Sequence, residues 1–233
     1  MVEGTLIPWH SARFSSPAAR HDGAIASAPL EQIASLVAPP LCAACGSARG
    51  TDAILCEHCD EELAAAPTVI DAGPACVDLA VSAAPFDGVA RRVVHGLKYA
   101  RRLSLAAVAA KAMLGALPAA ESPKAVVPVP AGPWRWRWRG FDPAEEIAIS
   151  LSERAGLPLR ACLRRGRGRR QVGRRRSQRL ADPPRVWAIE ASPLAALLVD
   201  DVWTTGATLS ACALALRDGG CCRVVALTLA RAL

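Results

Sequence analysis

Apolar and polar positions along this 233-residue chain change period several times, and each change marks an element. Cys76–Ala84 is a continuous apolar run and predicts a strand. Gly88–Tyr99 places Val89, Val93, Val94 and Leu97 on one face of a helix. Leu103–Leu117 predicts a second helix, ended by Pro118. Ala125–Pro130 is a short buried strand that terminates in prolines, and Pro143–Gly156 is a helix stopped by glycine. Leu194–Val199 reads as a second buried strand of this half, Thr208–Asp218 as a helix ending in Gly219-Gly220, and Arg223–Leu229 as a third strand. Strands alternating with helices predict parallel βαβ units, hence an α/β fold with a mostly parallel twisted sheet covered on both faces. One stretch, 164–184, carries no apolar period and interrupts the alternation, as an active-site lid or a disordered insertion does.

Upstream the organisation differs. Residues 1–38 are rich in Ala, Ser and Pro without a period and predict a poorly ordered arm. Residues 39–66 hold a cysteine module too small to keep a core without metal. Pro67–Pro74 reads as a linker into the main domain, 76–233.

Composition narrows the class. With 52% hydrophobic and 21% charged residues, disorder throughout is excluded. The longest apolar stretch, Leu103–Ala120, is broken by Lys111 and Pro118, so no membrane insertion is expected. The first 25 residues lack a continuous apolar segment, so no secretory signal and a cytoplasmic location are expected. Net charge is +7; Lys98, Lys111 and Lys124 are the lysines, and every other basic residue is arginine. Eleven arginines and a single acid, Asp182, lie between Arg160 and Arg185. Such a block is either a solvated charge run or a loop that faces a polyanion.

Four of the nine cysteines carry a metal spacing. Cys42, Cys45, Cys56 and Cys59 form C-x2-C-x10-C-x2-C, two knuckles that direct four thiolates at one tetrahedral centre, as Zn²⁺ requires. Gly46 lets the first knuckle turn back toward the metal. Cys76, Cys162, Cys212, Cys221 and Cys222 have no such spacing and read as small buried hydrophobes.

The chemistry concentrates in Leu197–Leu209. A buried strand runs into two consecutive carboxylates, Asp200 and Asp201; a hydroxyl-rich bend follows, Thr204-Thr205-Gly206-Ala207-Thr208; then a helix starts. In a parallel sheet this bend falls at the carboxyl edge, where open α/β sheets bind ligands. Free amides at a helix start favour a phosphate. No Gly-x4-Gly-Lys-Ser/Thr loop is present, which disfavours a nucleotide-hydrolysing P-loop. Two acids beside a phosphate cradle repel an anion unless they meet hydroxyls or a cation. Vicinal ribose hydroxyls with Mg²⁺ nearby meet that condition, so the residues point to a sugar-phosphate site.

At these positions Val199-Asp-Asp-Val-Trp-Thr-Thr-Gly-Ala-Thr resembles the 5-phosphoribosyl-1-diphosphate (PRPP) signature of type I phosphoribosyltransferases. Together with the cysteine module, Val127-Pro-Val-Pro, Arg139-Gly-Phe and Gln171-x-Gly, it resembles the ComF family of competence-associated phosphoribosyltransferase-like proteins, from about Cys42 to the C-terminus. The resemblance implies the phosphoribosyltransferase fold. It implies that Asp200 and Asp201 bind the ribose hydroxyls and act in catalysis, and that Thr204, Thr205, Gly206, Ala207 and Thr208 hold the 5′-phosphate. It implies a pyrophosphate loop after Pro130 with Arg135, Arg137 and Arg139, and a flap bearing Gln171, Gly173, Arg176 and Arg179. Structural zinc, and magnesium arriving with PRPP, are the implied metals.

Departures lie on the acceptor and flap side. Asp142-Pro143 replaces Asn-Gln after Arg-Gly-Phe, Arg174-Arg175 replaces Leu-Ser or Leu-Thr, Asp182 stands where asparagine is common, and Trp203 stands where an aliphatic residue is common. These altered positions leave PRPP binding better supported than transfer to any one acceptor. The run Trp134-Arg-Trp-Arg-Trp-Arg either stacks nucleic-acid bases or, with a period of two, packs its indoles on the protein and turns its guanidiniums outward. Two function classes follow: Mg²⁺-dependent phosphoribosyl transfer to an unknown acceptor, or a single-stranded DNA-binding adaptor of DNA uptake with a regulatory or vestigial PRPP site.

Overall fold

The computed structural model describes residues 40–50, 52–132, 137–166 and 184–232. The arm expected over 1–38 and most of the loop expected over 164–184 lie outside the described residues. From Pro39 onward the chain forms one compact unit.

The periodic segments fold as their patterns dictate. Helix α1 (Glu57–Ala64) closes the cysteine module; β1 (Val69–Asp71) and β2 (Leu79–Pro85) follow, then α2 (Gly88–Ala100), α3 (Leu105–Ala116) and β3 (Ala125–Pro128). Helix α4 (Pro143–Ala155), the short strands β4 (Leu163–Arg165) and β5 (Val186–Ala188), β6 (Ala195–Trp203), α5 (Ala207–Asp218) and β7 (Arg223–Arg231) complete the order. The stretch read as a linker holds β1, which pairs antiparallel with β2. The principal sheet runs β1-β2-β7-β6-β3, and every pair after the first is parallel. Strands β4 and β5 form a separate antiparallel pair around the arginine block.

Both faces are covered. Helices α2, α3 and α4 pack with Val81, Val126, Leu197, Val199 and Leu227 on one side. Helix α5 and the β4–β5 pair pack with Ala80, Val127, Leu198 and Ala226 on the other. The helices that directly follow β2 and β3 therefore lie over one face, and the helix that follows β6 lies over the opposite face. Neighbouring strands whose exits diverge in this way open a crevice at their carboxyl ends. Here the diverging neighbours are β3 and β6, and the two-acid segment lies at the end of β6.

Two expectations need correction. Strand β6 does not stop at Val199 but carries Asp200 and Asp201 within it, because β7 extends to Arg231 and continues the ladder through Asp200↔Thr228 and Trp203↔Arg231. Among the five unspaced cysteines, Cys162, Cys212 and Cys221 are buried, but Cys76 and Cys222 are exposed. The carbonyls of those two accept from one guanidinium, that of Arg217, which also forks onto Asp78.

The cysteine module is not a separate bead. Cys42, Leu55, Cys59 and Leu63 are buried in the same core as α2 and α3. Its polar edge is tied down as well: Lys111 of α3 meets Asp60 of α1 at 2.9 Å, and Arg102 donates to the Ala43 carbonyl at 2.6 Å.

Candidate functional site at the carboxyl edge of the sheet

Strand alternation separates the two acids. Successive side chains of a strand point to opposite faces, so Asp200 turns toward α5 and Asp201 toward α2. Burial, and after it the Asp200 charge, pushes the Cys212 thiol of α5 upward. On the other side the Lys98 ammonium, from the last turn of α2, lies 2.8 Å from Asp201 Oδ2. The Asp200 carboxylate also accepts from the Asp201 amide at 2.9 Å.

Asp200 ends a polar row that crosses three strands. Register aligns Ser82 of β2, Thr228 of β7 and Asp200 of β6, and the two hydroxyls meet at 2.6 Å while fully buried. Burial pushes the Asp200 carboxyl well above the usual carboxylate range. The Asp201 charge pushes the same way, while Lys98 and the Asp201 amide oppose it.

A third carboxylate closes the crevice from the β3 side. Asp142 caps α4 by accepting from the Ala144 amide at 3.1 Å, and its other oxygen accepts from the Ala131 amide at 2.6 Å. It therefore holds the loop that leaves β3 against the start of α4. Burial raises its carboxyl to about 6, against the pull of both amides, with the Asp201 charge adding to the rise.

The bend after β6 stands at this carboxyl rim. No side chain caps α5. Among the described residues, no carbonyl accepts from the amides of Thr204, Thr205, Gly206, Thr208 or Leu209; the Ala207 amide has a contact of 3.5 Å to Thr205 Oγ1. Gly206 has φ +79°, and a Cβ there would stand 2.7 Å from Pro74 and 3.1 Å from Trp203 Nε1. Its lack of a side chain is thus required by the packing behind the bend as well as by the backbone angle. Trp203 is buried with the Arg231 guanidinium 3.9 Å above its ring, and Arg231 donates to the Trp203 and Thr204 carbonyls. Those bonds fix the bend from below.

Of the arginines assigned to the diphosphate, Arg135 lies outside the described residues, as do the flap positions Gln171, Gly173, Arg176 and Arg179. Arg137 is exposed in a helical turn at 137–139. Arg139 is half-buried over the Tyr99 ring at 5.4 Å, and its Nε is buried with no acceptor among the described residues. The period-two packing expected for the tryptophan-arginine run does not hold where it is described. Trp138 is 71% exposed while Arg139 turns inward, because a helical turn replaces the extended segment that a period of two needs.

Lys98 is the residue that the motif reading missed. Its signal lay in the helix period: it falls four residues after Val94, on the apolar stripe of α2, where a lysine needs a partner.

The cysteine quartet forms a second centre. The sulphurs of Cys42, Cys45, Cys56 and Cys59 lie within 4.8 Å of one another, and Cys45 and Cys56 are 3.7 Å apart. A tetrahedral zinc with bonds of about 2.3 Å spaces its sulphurs at about 3.8 Å, so the quartet fits that ion. Gly46, at φ +81°, and the Gly46-to-Cys42 carbonyl bond shape the first knuckle; the Ala44 amide donates to Cys42 Sγ at 3.4 Å. Burial acts to raise the Cys42 thiol, yet the amides of Cys45, Cys56 and Ala44 outweigh it and lower the thiol to about 6. Burial and the neighbouring sulphurs push Cys59 the other way. Packed sulphurs with opposed proton affinities suit a cation that replaces their protons.

Among the described residues no helix is long and apolar enough to cross a membrane. No family model matches the chain, and no curated protein matches it.

Proposed function

We propose that this protein binds PRPP in the crevice between β3 and β6, as a phosphoribosyltransferase-like protein of the ComF type. The observation that carries the reading is the arrangement at the end of β6: two acids, then a bend whose amides have no carbonyl partner, at the point where the exits of neighbouring strands diverge. Asp200 and Asp201 accept the ribose hydroxyls, and residues 204–208 take the 5′-phosphate on free amides and threonine hydroxyls. Arg137, exposed, is available to the diphosphate, whereas Arg139, turned in over Tyr99, would have to swing outward to reach it.

In transfer, the bond from the anomeric carbon to the diphosphate oxygen breaks as a nucleophilic acceptor bonds to that carbon. The diphosphate leaves with the electron pair. Positive charge grows on the ribose ring, and the carboxylate pair stabilises it. Magnesium brought in with the diphosphate would supply charge neutralisation for the leaving group. The quartet of cysteines holds structural zinc.

Titration calorimetry with PRPP and Mg²⁺ tests binding: saturable heat in the wild type, and affinity reduced by at least about tenfold in Asp201→Asn, are expected. Release of pyrophosphate on addition of candidate amines or bases tests transfer. A second reading rests on the exposed Trp138 beside Arg137, a pairing that suits base stacking and phosphate contact. It makes the protein a single-stranded DNA adaptor and expects salt-dependent DNA binding that tolerates Asp201→Asn.

A further inference from the structure

We propose that Lys98 is the site's own counter-cation, and that it lets the paired carboxylates accept a pentose 5-phosphate without a divalent cation. This inference rests on the reading of the crevice as a sugar-phosphate site, and it assigns a role to a residue outside the signature.

The electrostatic difficulty is plain in the geometry. Asp200 and Asp201 are consecutive near the end of β6, and Asp142 holds the Ala131 amide of the loop that leaves the neighbouring β3. Uncompensated carboxylates there oppose any phosphate. Lys98 lies 2.8 Å from Asp201, with 21% of its side chain and 9% of the Asp201 side chain exposed. A pair so sheltered is weakly screened by salt and keeps most of its attraction.

Lys98 is also held in place. Its helix leaves β2, yet the lysine reaches β6, two strands away in the sheet. Both ends of α2 are fastened to the cysteine module. The Glu62 carboxylate accepts from the Val89 amide at 2.8 Å at one end, and Arg102 donates to the Ala43 carbonyl at 2.6 Å at the other. The carbonyl end of the helix further favours an ammonium in its last turn. Lysine in this position is a fixed feature of the crevice, whereas a surface lysine samples many rotamers.

Compensation from within the chain changes the ligand requirement. A ribose 5-phosphate then needs only the bend for its phosphate and the two acids, Asp201 of them paired with Lys98, for its hydroxyls. Magnesium is needed for the diphosphate of PRPP and not for the pentose half.

Calorimetric titration of the full chain with ribose 5-phosphate in magnesium-free buffer tests this. Wild type is expected to bind, and added Mg²⁺ is expected to leave its affinity nearly unchanged. Lys98→Met is expected to bind at least about tenfold more weakly, and to regain most of that loss when Mg²⁺ is added. Lys98→Arg is expected to retain magnesium-free binding. A purely structural lysine would lower the unfolding temperature without making binding depend on magnesium. The inference is overturned if Lys98→Met binds as tightly as wild type without Mg²⁺. It is equally overturned if wild type binds ribose 5-phosphate only with Mg²⁺, an arm that needs no variant to fold. In both cases PRPP binding by the wild type would leave the reading of the crevice standing. Failure of the wild type to bind either PRPP or ribose 5-phosphate would overturn that reading, and this inference with it.

Discussion

The carboxylate of Glu62 accepts a hydrogen bond from the amide of Val89, 27 residues further along, at 2.8 Å. Asp87 precedes α2 but does not cap it with its side chain, so a helix of the cysteine module supplies the missing acceptor. Glu62 also meets Arg92 at 3.1 Å. Glu62→Ala is expected to lower the unfolding free energy by about 1 kcal/mol, the usual cost of a lost N-terminal cap. Glu62→Gln, which keeps an oxygen acceptor, is expected to lose less. Urea denaturation with constant slope measures both.

The buried Asp142 makes stability depend on pH. Its carboxyl sits at about 6 in the folded chain, against an ordinary value of 3.8. A raised acid favours folding when protonated, so this contribution is complete below about pH 4 and is lost as pH rises through 6. Asp142→Ala is expected to cost about 1–2 kcal/mol near pH 4, where both accepted amides lose their partner. The cost should shrink toward pH 7, where the wild type holds a charge it has desolvated. A difference between the two chains that stays constant from pH 4 to 7 would contradict this account.

Ser82 and Thr228 satisfy each other inside the sheet. Thr228→Val leaves the Ser82 hydroxyl buried without that partner and is expected to cost about 1–3 kcal/mol. Adding Ser82→Ala should recover part of the loss, since an apolar pair has no donor to strand. Thermal unfolding of the single and double variants separates this coupling from mere loss of volume.

Gly206→Ala should fail for two reasons. A left-handed backbone costs a non-glycine residue about 1–2 kcal/mol, and the new Cβ would press on Pro74. Loss of stability and loss of PRPP affinity should appear together, because the bend must shift to admit the methyl group.

Zinc content offers an independent check. One zinc per chain is expected by elemental analysis, and Cys59→Ser should abolish it. Because Cys59 is buried in the principal core, the same variant should also lower the unfolding temperature of the whole unit.

Much of this was readable beforehand where the period is long. The stripes of α2, α3 and α4 and the apolar runs of β3, β6 and β7 predicted their elements to within a few residues. Strands of three residues, β1, β4 and β5, left no period to read; their existence depends on neighbours supplied by distant sequence. Helix α1 was hidden by the cysteines, whose spacing dominates that segment. At the site, the order of acids and hydroxyls was visible, but the faces they take were not. Asp201 meets Lys98 only because β7 extends the ladder of β6 and α2 reaches across to it. Asp142 was noticed as an unusual residue; its bond to the Ala131 amide spans a loop and needed coordinates.

Sharing one interior between the cysteine knuckles and α2 and α3 has a practical consequence. A shortened chain beginning at Pro67 would strip away Leu55, Cys59 and Leu63 and leave their apolar counterparts facing water. Such a fragment would be prone to self-association, so the main sheet cannot be studied as an excised piece.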